Sequence, residues 1–356
     1  MAAINFFLIC SLVFYTCNAS ATFSSSPLPK FPAILVFGDS VVDTGNNNYI
    51  KTWVKANYPP YGQDYSDHLP TGRFSNGKLL PDMLASILGI KDSVPPFLDP
   101  TLSENDLITG VNFASAGSGF DDLTSAIPNV VSFSTQIQLF KEYIERLKGI
   151  AGEVKAMEIT NSALVIINAG TNDWVNFYDI PTRKLHFNAS EYQDFELSKL
   201  HGFIKELYKS GCRAMIISGL PPIGCLPVQR TPSVEKPEGE RHCLEDQNRD
   251  CEAYNQKLVK LLPEIQATLP GTKIGYNDVY EIFVDIIIHH QKYGFEETTK
   301  GCCASGSLHA SQFCDTTTPT CENPSKFVFW DMIHPTQTAY EYLVAQVVNT
   351  LLPNFL

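Results

Sequence analysis

The chain has 356 residues, of which 44% are hydrophobic and 18% charged. That is enough to bury a sizeable core and too apolar for a disordered protein. Its formal net charge of -12 opposes any phosphate backbone, and no basic stripe offsets it, so nucleic acid is not an expected partner.

The first residues read as a secretion signal. Residues 6–15 are almost wholly apolar and the small residues Ala19, Ser20 and Ala21 follow, although the leading segment carries no Lys or Arg. The run is too short for a membrane anchor, which needs about 20 apolar residues, and no later stretch is long and apolar enough. Residues 1–21 are therefore expected to be a signal peptide cut near Ala19 or Ala21, and the mature chain to be secreted with no integral membrane span. Residues 22–32 are rich in Ser and Pro and read as a disordered lead-in, or one draped on the surface.

Residues 33–37 form a short apolar run that ends at Gly38, the pattern of a buried strand breaking into a turn. The same form recurs at 111–113 before Ser115, at 163–168 before Gly170, at 214–218 before Gly219, and at 273–276 before Asn277. Amphipathic helical spacing lies between them at 135–147, 191–209, 251–262 and 336–352, with Ser190 and Gln193 read as the capping box of the second. Strands alternating with helices predict a mainly parallel sheet covered on both faces. There is no repeat and no linker, so 33–356 is expected to be one domain. Residues 232–240 and 302–324 read as surface insertions.

Of the 10 cysteines, Cys10 and Cys17 fall in the signal, leaving Cys212, Cys225, Cys243, Cys251, Cys302, Cys303, Cys314 and Cys321. An even number in a secreted chain points to disulfides. The paired Cys or Cys/His spacings of a zinc site are absent, so no metal is expected. Sequence does not choose the pairing, but the clustering suggests a stapled 302–321 loop in which Cys302 and Cys303 take different partners. Asn188-Ala189-Ser190 is a glycosylation sequon in that setting; Asn18-Ala19-Ser20 also matches but lies in the signal.

Four distant segments carry chemistry: Phe37-Gly38-Asp39-Ser40, Ala114-Ser115-Ala116-Gly117-Ser118-Gly119, Gly170-Thr171-Asn172-Asp173 and Asp331-Met332-Ile333-His334-Pro335. Ser40, Gly117 and Asn172 each follow an apolar run, which places them on the carboxyl rim of the sheet, where open parallel sheets bind ligands. Ser40 is the candidate nucleophile, in a turn that exposes its hydroxyl and frees its N–H. His334 is the candidate base and Asp331 its orienter. Gly117 offers a backbone N–H where a side chain would block close approach, and Asn172 its amide. Donors of this kind are each worth about 3 kcal/mol of barrier. Among competing histidines, His68 follows Asp67, and His289 lies four after Asp285 on a helix that reads as buried and structural; His186, His201, His242, His290 and His309 have no telling partner. The G-x-S-x-G elbow, H-E-x-x-H and the P-loop are absent, and the serine comes first in the chain, against the order of the common lipase fold.

These four blocks match those of the SGNH hydrolases, and the chain resembles the plant GDSL esterase/lipase family in particular, in its secreted extracellular-lipase type. The narrower resemblance rests on Val42-Asp43-Thr44-Gly45-Asn46-Asn47-Asn48, Thr71-Gly72-Arg73-Phe74-Ser75-Asn76-Gly77-Lys78, Gly219-Leu220-Pro221-Pro222-Ile223-Gly224-Cys225 and Lys300-Gly301-Cys302-Cys303, and runs from about Pro32 to the C-terminus. It implies a flavodoxin-like three-layer α/β/α sandwich, Ser40 as nucleophile, His334 as base, Asp331 as its orienter, and an oxyanion hole of Ser40, Gly117 and Asn172. One departure is Ala304-Ser305-Gly306, where the family often has Gly-Thr-Gly, and it leaves that chemistry untouched.

The expected activity is hydrolysis of carboxylic esters, small-molecule or lipid, through an acyl-enzyme on Ser40, in the apoplast or cell wall of a plant, with no cofactor. Two alternatives share the residues: an acyltransferase that passes the same acyl group to an alcohol, and a non-catalytic secreted binding protein on an esterase scaffold. Acyl length, alcohol moiety and oligomeric state are not legible in the sequence.

Overall fold

The strands β1 (Ile34–Gly38), β2 (Leu164–Asn168), β3 (Ala214–Ser218) and β4 (Lys273–Asn277) pair in that order, all parallel. This is seen in a computed structural model that describes residues 21, 27–230, 242–303 and 314–356. The expected signal peptide apart from Ala21, the Asn18 sequon, the 232–240 insertion, and residues 304–313 with Ala304-Ser305-Gly306 and His309 lie outside the described residues. Continuous apolar runs build β1 and β2 because both of their faces are covered. Ile34 stands opposite Leu164, and Leu164 opposite Ala214.

Residues 111–113 do not form the full strand their pattern suggests. They run beside β1 on its outer side through the hydrogen bonds Val36 N–H to Val111 O and Phe113 N–H to Val36 O, with one parallel bridge between Val36 and Asn112. Their other side meets Pro95 and Pro96, and proline cannot extend a ladder. With this run counted, the strands lie in the chain order 2-1-3-4-5, the flavodoxin-like arrangement.

Seven helices of eight or more residues matter to the site: α1 (Leu80–Ile87), α2 (Phe133–Ala151), α3 (Thr171–Asp179), α4 (Ala189–Lys209), α5 (Glu245–Thr268), α6 (Val279–Ile288) and α7 (Gln337–Gln346). Helices α2, α4 and α5 lie side by side on one face of the sheet, and α1 packs with α7 on the other. Phe37 of β1 sits at the centre of the first interface, its ring 5.4 Å from those of Phe140 and Phe203.

Several boundaries differ from the sequence reading. Helix α4 starts two residues earlier, on Asn188: its Oδ1 accepts from Glu191 N–H at 3.0 Å, and Glu191 Oε2 accepts from Asn188 N–H at 2.9 Å. That is a complete capping box, whereas Gln193 is buried and donates to Asp250 O. The last helix gives way at Val347 to a wide turn over Val347–Leu351. The end of the lead-in, residues 27–32, is laid against the core rather than disordered, because Leu28 and Phe31 are apolar and pack there. The Asp285–His289 pair sits on the surface of α6, not in the core. Val279, Phe283 and Ile286 turn inward, while Ile288 is 64% exposed.

Among the described residues three disulfides form: Cys225–Cys243, Cys302–Cys321 and Cys303–Cys314. Cys302 and Cys303 do take different partners. Cys212 and Cys251 remain as free, buried thiols. Among the described residues no helix is long and apolar enough to cross a membrane.

Candidate active site

Ser40 stands two residues beyond β1, at the carboxyl end of the sheet. The break from strand to turn requires Gly38, whose φ is 151° and where a Cβ would lie 2.1 Å from the carbonyl oxygen of Asn168. Gln136 of α2 grips this residue on both sides. Its Oε1 accepts from Gly38 N–H at 3.0 Å, and its Nε2 donates to Gly38 O at 2.9 Å. Asp39 closes the turn, accepting from Val41 N–H through Oδ1 and from Val42 and Asp43 N–H through its carbonyl. Ser40 N–H meets no protein acceptor among the described residues.

His334 comes from a loop on the opposite side of the cleft. Its Nε2 lies 2.7 Å from Ser40 Oγ, and its Nδ1 lies 2.7 Å and 2.9 Å from the two oxygens of Asp331. Asp331 also accepts from the N–H groups of Ile333 and His334 and from the Tyr61 hydroxyl at 2.8 Å. Burial by itself would raise the Asp331 carboxyl, but the charge on His334 and these hydrogen bonds outweigh it and hold it below its ordinary value. An ionised Asp331 keeps the proton on Nδ1, so that Nε2 accepts from the Ser40 hydroxyl. The Phe74 ring packs 5.0 Å from the imidazole.

The His334 loop is anchored from outside the main sheet. Strand β5 (Glu297–Gly301) pairs parallel with β6 (Phe327–Phe329), and beyond them Cys303 N–H donates to Trp330 O and Trp330 N–H to His334 O. Both disulfides of the 302–321 region attach at this point. A Cβ on Gly301 would meet the Asp331 backbone at 2.5 Å, so the two segments pass as close as glycine permits.

The expected oxyanion donors converge on the same place. Gly117 has φ +85°, and its N–H meets no protein acceptor among the described residues. The protein itself leaves room for a Cβ, with its nearest atoms at 3.5–3.7 Å, while the left-handed backbone disfavours any residue but glycine. Asn172, in the first turn of α3, donates one amide hydrogen to Ser118 O at 2.9 Å and keeps the second. The neighbouring Asp173 ties the two donor segments together by accepting from the N–H groups of Phe120 and Asp121.

Ser40, Gly117, Asn172 and His334 line one cavity of about 290 Å³, whose other walls include Trp53, Val54, Ile127, Pro128, Val175 and Ile180. Trp53 is 65% and Ile127 57% exposed, so the rim is apolar as well. Ile333 also borders a smaller apolar cavity of about 40 Å³ near Pro221, Pro222 and Phe283, which contains none of the four groups. Among the described residues no cluster of three or more His, Cys, Asp or Glu side chains is placed to hold a metal. Among the described residues no other histidine lines this cavity: the His68 ring nitrogen contacts Gln63 O, His290 bonds Phe295 O, and His289 bonds Asp285. Chemically, this arrangement can deprotonate a serine as it attacks a carbonyl and bind the resulting oxyanion.

The model of the GDSL-like lipase/acylhydrolase family matches residues 34–347. The chain belongs to that family. It is 48% identical over 351 residues to a GDSL esterase/lipase of Arabidopsis thaliana, covering 98% of this chain and 97% of that one. A second from the same plant is 52% identical over 343 residues, covering 96% and 94%. This GDSL-type chain is thus an ester hydrolase of the plant branch.

Sequence reasoning named the groups that converge on this cavity and missed their supports. Gln136 and Tyr61 carried no signal, and Asp173 was visible only as the last residue of the Gly170-Thr171-Asn172-Asp173 segment, with no role read for it. The 43–48 block was visible only as a family motif.

Proposed function

We propose that this GDSL hydrolase is a secreted serine esterase that cleaves carboxylic esters with an apolar acyl or alcohol group through an acyl-enzyme on Ser40. The observation that carries the reading is the unbroken line from Asp331 through His334 to Ser40, with both linking distances at 2.7 Å, facing a cavity with apolar walls.

In the first half-reaction His334 Nε2 takes the Ser40 proton as Oγ attacks the acyl carbon. The oxyanion is held by the N–H groups of Ser40 and Gly117 and the second amide hydrogen of Asn172. His334 then gives its proton to the departing alcohol. In the second half-reaction it activates a water that releases the acid. An alcohol entering in place of water would give acyl transfer from the same intermediate. The three disulfides support secretion. Asn188 is exposed and caps α4 through Oδ1, so its Nδ2 is available for a glycan.

The test is turnover of p-nitrophenyl acetate, butyrate and palmitate by wild type and Ser40→Ala, with fluorophosphonate labelling. A loss of about 10⁴-fold or more in Ser40→Ala, with the wild-type label mapped to Ser40, is expected. Equal turnover in the variant sinks the reading. Products analysed with and without an added alcohol separate hydrolysis from transfer.

A further inference from the structure

We infer that Asn47 is a positioning residue of the oxyanion hole, orienting the Gly117 N–H by holding the carbonyl at the other end of the same peptide. The inference rests on the serine-esterase reading.

The Gly117 N–H belongs to the peptide it shares with the Ala116 carbonyl. In a trans peptide the two point in opposite directions. Asn47 Nδ2 donates to Ala116 O at 2.9 Å. With the carbonyl drawn toward Asn47, the N–H is directed away from it, toward the cavity that Gly117 lines with Ser40 and His334. A backbone donor has no rotamer of its own, so its aim is set only by what grips its peptide plane. At φ +85° Gly117 sits where several orientations of that plane are accessible.

The Asn47 amide is itself locked. Its Nδ2 also donates to Val54 O at 2.9 Å, and its Oδ1 accepts from the Ser115 hydroxyl at 2.5 Å. Ser115 Oγ in turn accepts from Val131 N–H. One residue before the donor peptide, Ala116 N–H is held by Asp43 Oδ2 at 2.9 Å, and Asp43 Oδ1 accepts from the N–H groups of Gly45 and Asn46. Asn46 Nδ2 completes the clamp by donating to Asn112 O and Ala114 O. Every side chain in this set is at least 99% buried. Water therefore cannot replace a lost bond at little cost. The Asp43-Thr44-Gly45-Asn46-Asn47 block touches none of the reacting atoms; it acts through the loop that carries Gly117.

The test uses Asn47→Ala and Asn47→Asp in the full secreted chain. Rates on p-nitrophenyl butyrate are expressed per fluorophosphonate-labelled site at completion, so that misfolded protein drops out. Affinity is measured for n-butylboronic acid, which forms a tetrahedral adduct on serine. For Asn47→Ala we expect kcat per labelled site to fall about 10- to 100-fold, with KM within about threefold and the boronate Ki rising in step with the loss of kcat. Asn47→Asp should lose more, because a carboxylate oxygen would face the carbonyls of Ala116 and Val54.

Ser115→Ala keeps the Asn47 amide but removes the hydroxyl that orients it. It should show the same pattern at about 3- to 10-fold, and it keeps the test standing if Asn47→Ala does not fold. Wild-type kcat per site and wild-type boronate Ki in these variants, whatever their melting temperatures, overturn the proposal. Wild-type protein with neither turnover nor label overturns the esterase reading itself, and the proposal with it.

Discussion

The loop that carries Asp331 and His334 is fixed by two disulfides and a two-stranded sheet, whereas the loop that carries Gly117 is fixed by buried amides and a carboxylate. The difference follows from what each side must present. The proposed base is a side chain, and a rigid loop with one oriented carboxylate is enough to aim it. The proposed oxyanion donors are mostly backbone N–H groups, and those can be aimed only by satisfying the carbonyls and N–H groups around them. Crosslinks hold a chain but leave its peptide planes free; hydrogen bonds donated by Asn46 and Asn47 and accepted by Asp43 fix the planes. Both sides place ionisable groups where water is absent, but with opposite sign: burial raises the carboxyls of the donor side, whereas hydrogen bonds and His334 hold Asp331 of the stapled side low.

The largest effect separating the two sides is expected from Asp331→Asn. It leaves the loop's shape but reverses the preference for a proton on Nδ1, so kcat should fall about 10³- to 10⁴-fold. The disulfides and the thermal midpoint should stay close to wild type. Rates per labelled site, with calorimetry on the same samples, check this. A loss under tenfold would mean that the loop alone aims His334. On the other side, Asn172→Ala removes one of three donors and should lower kcat about 10²- to 10³-fold with little change in KM. Because Asn172 also donates to Ser118 O, part of the loss would come from a displaced Gly117 loop. A double mutant with Asn47→Ala should therefore lose less than the product of the single effects.

How much of this was legible depends on distance along the chain. Ser40, Gly117 and Asn172 were readable because each sits where a hydrophobic run stops at glycine or small residues, and that pattern is local. Asp331 and His334 were readable because they are three residues apart. Asn47 and Gln136 were not, because their partners lie 69 and 98 residues away and are backbone atoms, which carry no sequence identity. The capping box of α4 was misplaced by two residues because Ser190 and Asn188 both suit a cap, and only the geometry of Glu191 decides between them. The clustering of Cys302, Cys303, Cys314 and Cys321 announced a staple. Nothing in the spacing told Cys212 and Cys251, buried in α/β packing, from cysteines that pair.

A test of the stapled side alone is the double variant Cys303→Ser with Cys314→Ser. Removing a crosslink over a separation of 11 residues should lower stability by about 2–4 kcal/mol and kcat by only a few fold, since Asp331 keeps its hydrogen bonds to His334. The Cys225–Cys243 link touches the His334 loop indirectly, through the segment after Cys225, where Val228 N–H donates to Met332 O at 3.0 Å, and its removal should cost stability with a smaller loss of kcat per labelled site. If both variants lose kcat alike, the 302–321 region has no special hold on the base.

The smallest expected effect, and the one that distinguishes the two anchoring schemes most directly, is the dependence of stability on pH. Burial pushes three aspartates on the serine and oxyanion side upward, Asp39 to about 7, Asp43 to about 6 and Asp173 to about 7, and it moves Glu196 beside Asp173 the same way. Between the aspartates' unfolded value of 3.8 and these values, the native state binds more protons than the unfolded chain, so its stability falls as pH rises. Their contribution is fully present below about pH 4 and is lost as pH climbs through 6–7. Asp331, held below its ordinary value, acts in the opposite sense, but only in the more acid range where it would be protonated. The thermal midpoint should therefore be higher at pH 5 than at pH 7.5, by a few degrees at about 2–4 °C per kcal/mol for a chain of this size. Asp39 is the group to vary, because its Oδ2 is buried without a hydrogen-bond partner and burial outweighs the Val41 N–H on its Oδ1. Asp39→Asn should flatten the slope between pH 4 and 7 while leaving the acid limb governed by Asp331 in place. A midpoint that rises steadily from pH 5 to 7.5 in wild type would mean that these carboxyls are ionised in the folded protein, and that the amides and N–H groups around them compensate for the lost water.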